Sequence, residues 1–179
     1  MPILLRLADL AERHPGVTKA LGEVYAEAAS VCLSRHHESP VDVDAEYRQE
    51  ESECLMQWEA PSTAVLRAHA NDIDATEQGA YAVSFAAIEA LAGLVAVRRA
   101  ETLTGADYYV APLGAGVDDL EACLRLEVSG VNAGDESAVR TRLRQKLRQT
   151  EKGRSNLPAL AAVVGFRERL IAIAQMGDA

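Results

Sequence analysis

Apolar residues recur at helical spacing over residues 3–13, where Leu4, Leu7, Ala8 and Leu10 or Ala11 share a face until Pro15-Gly16 interrupts it. The pattern predicts a helix there and a second over residues 17–35. It then changes period: from Val41 to Tyr47 apolar and acidic residues alternate strictly, as on a strand with one wet face. Residues 54–59 form its expected antiparallel partner, and the polar run 48–53 is the expected connecting loop. Pro61-Ser62 opens a short helix to about residue 70.

A long helix is expected over residues 76–97, with Thr76 or Asp74 capping it and Ala80, Ser84, Ala87, Leu91 and Leu94 or Val95 along one face. Small side chains there let a helix lie close to a sheet. Residues 108–112 and 121–129 read as two strands joined by a turn at Gly114–Gly116. Asp135 can cap a helix over 136–150 with a seam of Val139, Leu143 and Leu147. After Pro158, residues 160–166 read as a buried strand, followed by a C-terminal helix.

Composition narrows the class. At 179 residues with 49% hydrophobic content the chain has material for a compact core. Its apolar content is mostly Ala, Leu and Val with only 4% aromatics, which favours a mixed α/β protein over a β-sandwich. The formal net charge of -9 excludes a protein that coats nucleic acid through its overall field, so any phosphate contact must be local. The three cysteines, Cys32, Cys54 and Cys123, form no C-x-x-C pair and imply neither a disulfide framework nor a zinc knuckle, which fits a reducing cytoplasm. Arg6, Asp9, Glu12 and Arg13 break the apolar N-terminus before a signal-peptide core or a membrane span could form.

Two acids stand out on neighbouring apolar segments: Asp107 in G-A-D-Y-Y-V and Glu127 in L-R-L-E-V-S. Strand alternation puts Leu124, Leu126 and Val128 on one face and Arg125, Glu127 and Ser129 on the other. With an alanine-rich helix before them and a basic helix and a strand after, these segments resemble the αβββαβ core of the PD-(D/E)XK, or restriction-endonuclease-like, superfamily. The resemblance covers about the last hundred residues. It implies a nuclease-like core over 76–179 and an N-terminal extension of helices and a β-hairpin over 1–75, packed as one compact domain.

By that resemblance Asp107 and Glu127, with Glu89 on the preceding helix, would hold Mg²⁺ or Mn²⁺, hard cations that prefer carboxylate oxygen and can activate a water against a phosphodiester. The family places a lysine two residues after the glutamate, and this chain has Ser129 there. Lys146 and Gln145, and also Gln149, on the following helix are the positions that could supply the missing group. Arg125 would support the charge. Relatives of the fold act in restriction, repair and mobile-element conflict, which implies a role in bacterial defence or repair.

The helix over 136–150 reverses the local charge of an acidic chain, and Arg140, Arg144 and Arg148 are its expected contacts to a nucleic-acid backbone. A second reading keeps the scaffold without catalysis: a protein-protein interaction module whose contact faces are this helix and the acidic hairpin of Asp42, Asp44 and Glu46. His36-His37 reads as a helix end, since adjacent side chains diverge by about 100° and do not share an ion. His14 and His69 show no ligand spacing.

Overall fold

The computed structural model describes residues 1–116 and 118–178. Its elements in order are strand β1 (Ile3–Leu5), helix α1 (Leu10–Arg13), α2 (Lys19–Ser34), β2 (Val41–Tyr47), β3 (Glu50–Met56), α3 (Thr63–Ala68), α4 (Asp72–Ala92), β4 (Leu94–Arg99), β5 (Tyr108–Pro112), β6 (Leu124–Val131), α5 (Glu136–Glu151), β7 (Ala159–Gly165) and β8 (Leu170–Gln175). The protein is α/β. Eight strands form one sheet in the order β1-β3-β2-β8-β7-β6-β5-β4. β4, β5 and β6 are antiparallel neighbours, α5 returns the chain so that β7 lies parallel to β6, and β8 closes back antiparallel on β7.

α2 and α4 pack on one face of the sheet and α5 on the other. The larger core lies under α4, where Phe85, Tyr108, Leu126, Leu160 and Ile171 are fully buried. A smaller one lies under α5, where Val139 meets Val163, Leu170 and Ala172. Strand alternation in β6 therefore sends Leu126 and Val128 into the α4 core and turns Arg125, Glu127 and Ser129 toward α5.

Several expected elements differ. Residues 3–13 are a short strand and a single turn of helix, because Ile3–Leu5 pairs in parallel with Cys54–Met56 and tertiary pairing outweighs a weak helical period. The hairpin has a two-residue turn, Arg48 and Gln49, both at positive φ, so β3 begins at Glu50 and the acidic run expected as a loop is strand. α4 starts a turn early, at Asp72, capped by Asn71, whose side chain accepts from the Ile73 and Asp74 amides. It stops at Ala92 because Gly93 adopts φ 63° and caps it, freeing Leu94–Arg99 to pair with β5 as an edge strand. The expected C-terminal helix is strand β8: Leu170–Gln175 is a continuous apolar run that fills a central position, with Arg169 at φ 59° in the turn from β7.

Strands from either side of the expected boundary at residue 75 are hydrogen-bonded to each other, with Asp44–Tyr47 in register with Leu170–Ile173. Among the described residues no helix is long and apolar enough to cross a membrane.

Candidate functional site

Gly130 brings the first turn of α4 against β6: a Cβ there would lie 2.6 Å from the Thr76 carbonyl oxygen and Cγ2. That close approach sets the polar N-terminal turn of α4 beside the outward-facing side chains of β6, and α5 closes the third side. The result is a cleft of about 500 Å³ lined by Glu77, Asp107, Glu127, Ser129, Arg142 and Lys146, among others. A second hollow of about 450 Å³ adjoins it under the 99–106 loop, and Asp107 and Glu127 line both.

Asp107 precedes β5 and is fixed from both sides. Its backbone N–H donates to the Leu126 carbonyl at 2.8 Å, and its Oδ2 accepts from the Val128 N–H at 2.8 Å. Its Oδ1 lies 3.7 Å from Arg99, whose guanidinium stacks over the Tyr108 and Tyr81 rings, 4.9 and 5.2 Å from their centroids.

Glu127 is 3% exposed. Burial, and then the neighbouring negative charge of Asp107, push its carboxyl up to about 7, opposed by Lys146. Lys146 donates to Glu127 Oε1 at 2.6 Å and to Gln149 Oε1 at 3.3 Å. A buried carboxylate at this strength of perturbation marks functional sites more often than ordinary surfaces do.

Of the residues singled out from sequence, the cleft unites Asp107, Glu127 and Lys146. The others lie elsewhere. Glu89 is near the far end of α4, with its Oε2 2.9 Å from Arg13 Nε and 3.4 Å from the buried His14, so it is no partner of the pair. Glu77, twelve residues earlier on the same helix, lines the cleft in its place. Arg125 is a structural residue, 5% exposed, donating to the carbonyls of Leu157 (3.0 Å), Thr104 (2.6 Å) and Thr150 (2.9 Å). Arg140 is committed to Glu46 through both terminal nitrogens and to Glu136. Gln145, Arg144 and Arg148 are exposed and line neither hollow.

Helix geometry explains the division. At about 100° per residue, Arg142, Lys146 and Gln149 share the flank beside β6, while Arg140 and Arg144 take the opposite flank and Arg148 points away from the sheet. Arg142 donates to Ser129 Oγ at 3.1 Å, so Ser129 holds an arginine from α5. The i, i+4 relation of Arg142 to Lys146, combined with the Val139 and Leu143 seam, was the available signal. Glu77 carried none, because the helix was expected to start at its position.

The two carboxylates, with Glu77 across the cleft, are hard oxygen donors of the kind Mg²⁺ and Mn²⁺ take, and Mg²⁺ commonly needs only one or two of them and retains its waters. Among the described residues no three acidic, histidine or cysteine side chains converge on one point as a closed ligand set. Asp107 and Glu127 bring two carboxylates to one cleft, which is the donor type such an ion takes but not a closed ligand set. His36 and His37 contact Asn132 Oδ1 (3.0 Å) and the Phe166 carbonyl (2.8 Å), tying the end of α2 to the sheet.

No protein-family model, curated protein or solved structure matches the chain.

Proposed function

We propose that the protein is a divalent-metal-dependent, nuclease-like hydrolase of nucleic-acid phosphodiesters on a restriction-endonuclease-like core. The observation that carries this reading is Lys146 at 2.6 Å from Glu127 in a cleft shared with Asp107. Lys146 would take the part of the lysine that the motif lacks at Ser129. The helix, three strands, helix and strand from α4 to β7 follow the αβββαβ order and support the same reading.

Asp107 and Glu127 would hold Mg²⁺ or Mn²⁺, with Glu77 reaching its waters. A bound ion of this kind lowers the pKa of a coordinated water and neutralises charge on a phosphoryl oxygen. Val128 N–H keeps the Asp107 carboxylate turned into the cleft. The Lys146 ammonium orients the Glu127 carboxylate and can donate to the charge that develops at the phosphate, and Arg142 can hold a non-bridging oxygen. An interaction module using the acidic hairpin and the basic helix as contact faces is less well supported, because Arg140 and Glu46 join those faces to each other.

Calorimetric titration of Mn²⁺ into wild type, Asp107→Ala and Glu127→Ala, with cleavage of labelled DNA and RNA followed on the same samples, tests the reading. Binding and cleavage in wild type that both substitutions abolish are expected. Equal Mn²⁺ binding by folded variants would refute it.

A further inference from the structure

We propose that the ligand of this cleft is single-stranded nucleic acid, threaded through both hollows with its bases against Ile73 and Leu103 and its phosphates on Arg142 and Arg99. The inference rests on the nuclease reading of Asp107 and Glu127 and specifies its substrate. Each hollow carries the same pair of features: one arginine, and one large apolar side chain left in water. Arg142 and Ile73 belong to the first, Arg99 and Leu103 to the second. Ile73 is 77% exposed and Leu103 is 62% exposed. Asp107 and Glu127 line both hollows, so a linear chain running through both would pass the reacting centre on its way from one arginine and apolar pair to the other.

Leu103 adds a second observation. It stands at φ 72°, a left-handed conformation that costs a residue with a Cβ on the order of 1 kcal/mol. Its loop is fixed there, with its carbonyl accepting from Arg154 N–H at 2.8 Å and the next carbonyl accepting from Arg125 at 2.6 Å. A leucine held in strained backbone and turned to solvent contributes nothing to the core. Packing against a ligand gives it a role.

The ligand chemistry follows from what these groups can touch. In a duplex the base faces are stacked on one another and only edges and phosphates are offered, whereas a single strand presents unstacked apolar faces alternating with charged phosphates. The first hollow also sets Asp72, Glu77, Asp107 and Glu127 against Arg142 and Lys146, an acidic excess that repels phosphate until a divalent ion is bound. Binding is therefore expected to require the ion.

The test is fluorescence anisotropy with labelled oligonucleotides of roughly 16 nucleotides, single-stranded DNA, single-stranded RNA and the matching duplex, in Ca²⁺ and in EDTA. Ca²⁺ fills oxygen sites at longer distances than Mg²⁺ and lets binding be read without turnover. Wild type, Ile73→Ser and Leu103→Gly are compared; both sites are exposed, and glycine relieves the strain at 103. The expected result is Ca²⁺-dependent binding about tenfold tighter for single strands than for duplex, weakened about 3- to 10-fold by each substitution. Equal or tighter duplex binding, or single-strand binding unchanged in both variants, overturns the proposal. Mn²⁺ calorimetry on the same preparations separates the failures: a retained metal site without single-strand preference defeats this inference alone, and a missing metal site defeats the nuclease reading with it.

Discussion

Lys146 on α5 donates to Glu127 on β6 at 2.6 Å, across the interface between a basic helix and the sheet it covers. The glutamate is buried and the lysine is partly exposed, at 3% and 22% of the side chain. The pair therefore anchors a charge at the cleft floor while leaving its cation accessible from the cleft. A strand lysine two residues after Glu127 would lie on the same strand face; a helix lysine reaches the same carboxylate from above. On the proposed reading, Lys146 would supply from α5 the cation that the strand lacks at Ser129.

Lys146→Met should leave the fold intact and lower phosphodiester cleavage by about 10²- to 10³-fold, the usual effect of removing one preorganised donor to developing charge. Cleavage of labelled single strands in Mn²⁺, with circular dichroism as the check on folding, measures it. Activity equal to wild type in a folded variant would remove Lys146 from the mechanism.

The raised carboxyl of Glu127 makes stability depend on pH in a definite direction. Its folded value of about 7 lies above the ordinary value of 4.5, so its contribution favours the folded state below pH 4.5 and is lost as pH rises to about 7. Glutamine mimics the protonated form at every pH. Glu127→Gln should match wild type in urea unfolding near pH 4.5 and exceed it by about 2–3 kcal/mol at pH 8. Saturating Mn²⁺ at pH 8 should stabilise wild type and not the variant, reversing the order. A pH-independent difference between the two would contradict the assigned cause.

The two glutamates of α4 should separate cleanly. Glu77→Gln should reduce Mn²⁺ affinity and cleavage about tenfold with little change in stability, since Glu77 faces the cleft. Glu89→Gln should leave both unchanged and destabilise the protein by about 1–3 kcal/mol, because it leaves Arg13 without its carboxylate beside the buried His14. Calorimetry and urea titration on the same two proteins decide the matter, and the reverse pattern would restore Glu89 to the site.

What the chain reveals of this arrangement depends on the range of the interactions. Alternation along Val41–Tyr47 and the cap at Asp135 are local, and both elements begin where the pattern says. The acids Asp107 and Glu127 were legible because the first stands at the head of one apolar strand and the second interrupts another. β1 was not, since Ile3–Leu5 becomes a strand only by pairing with residues some fifty positions away. β8 was missed because an apolar run of that length has no period that distinguishes strand from helix. Glu89, expected at the site from the resemblance, lies twelve residues beyond Glu77 and outside the cleft. α4 begins a turn earlier than Thr76 and sets its first turns, with Glu77, beside β6, while Glu89 pairs with Arg13. The basic helix was legible as charge but not as direction, because which flank of α5 meets β6 is decided by packing of Val139 and Leu147.

Arg125 supplies the last prediction, because its position on the β6 face of Glu127 invited a substrate role that its surroundings exclude. Its guanidinium donates to three main-chain carbonyls from three different segments: the 99–107 loop, the end of α5 and the approach to β7. Burial disfavours its charge, and those carbonyls compensate. Arg125→Met removes all three hydrogen bonds and leaves the carbonyls without a partner in a space water cannot easily fill, which should cost about 3–5 kcal/mol. Lysine cannot reproduce the planar fork and should recover less than half of that loss. Urea unfolding of both variants measures the energies. If Arg125 instead acted on substrate, Arg125→Met would retain wild-type stability and lose only affinity for nucleic acid, an outcome that a single pair of unfolding and anisotropy curves distinguishes from a structural role.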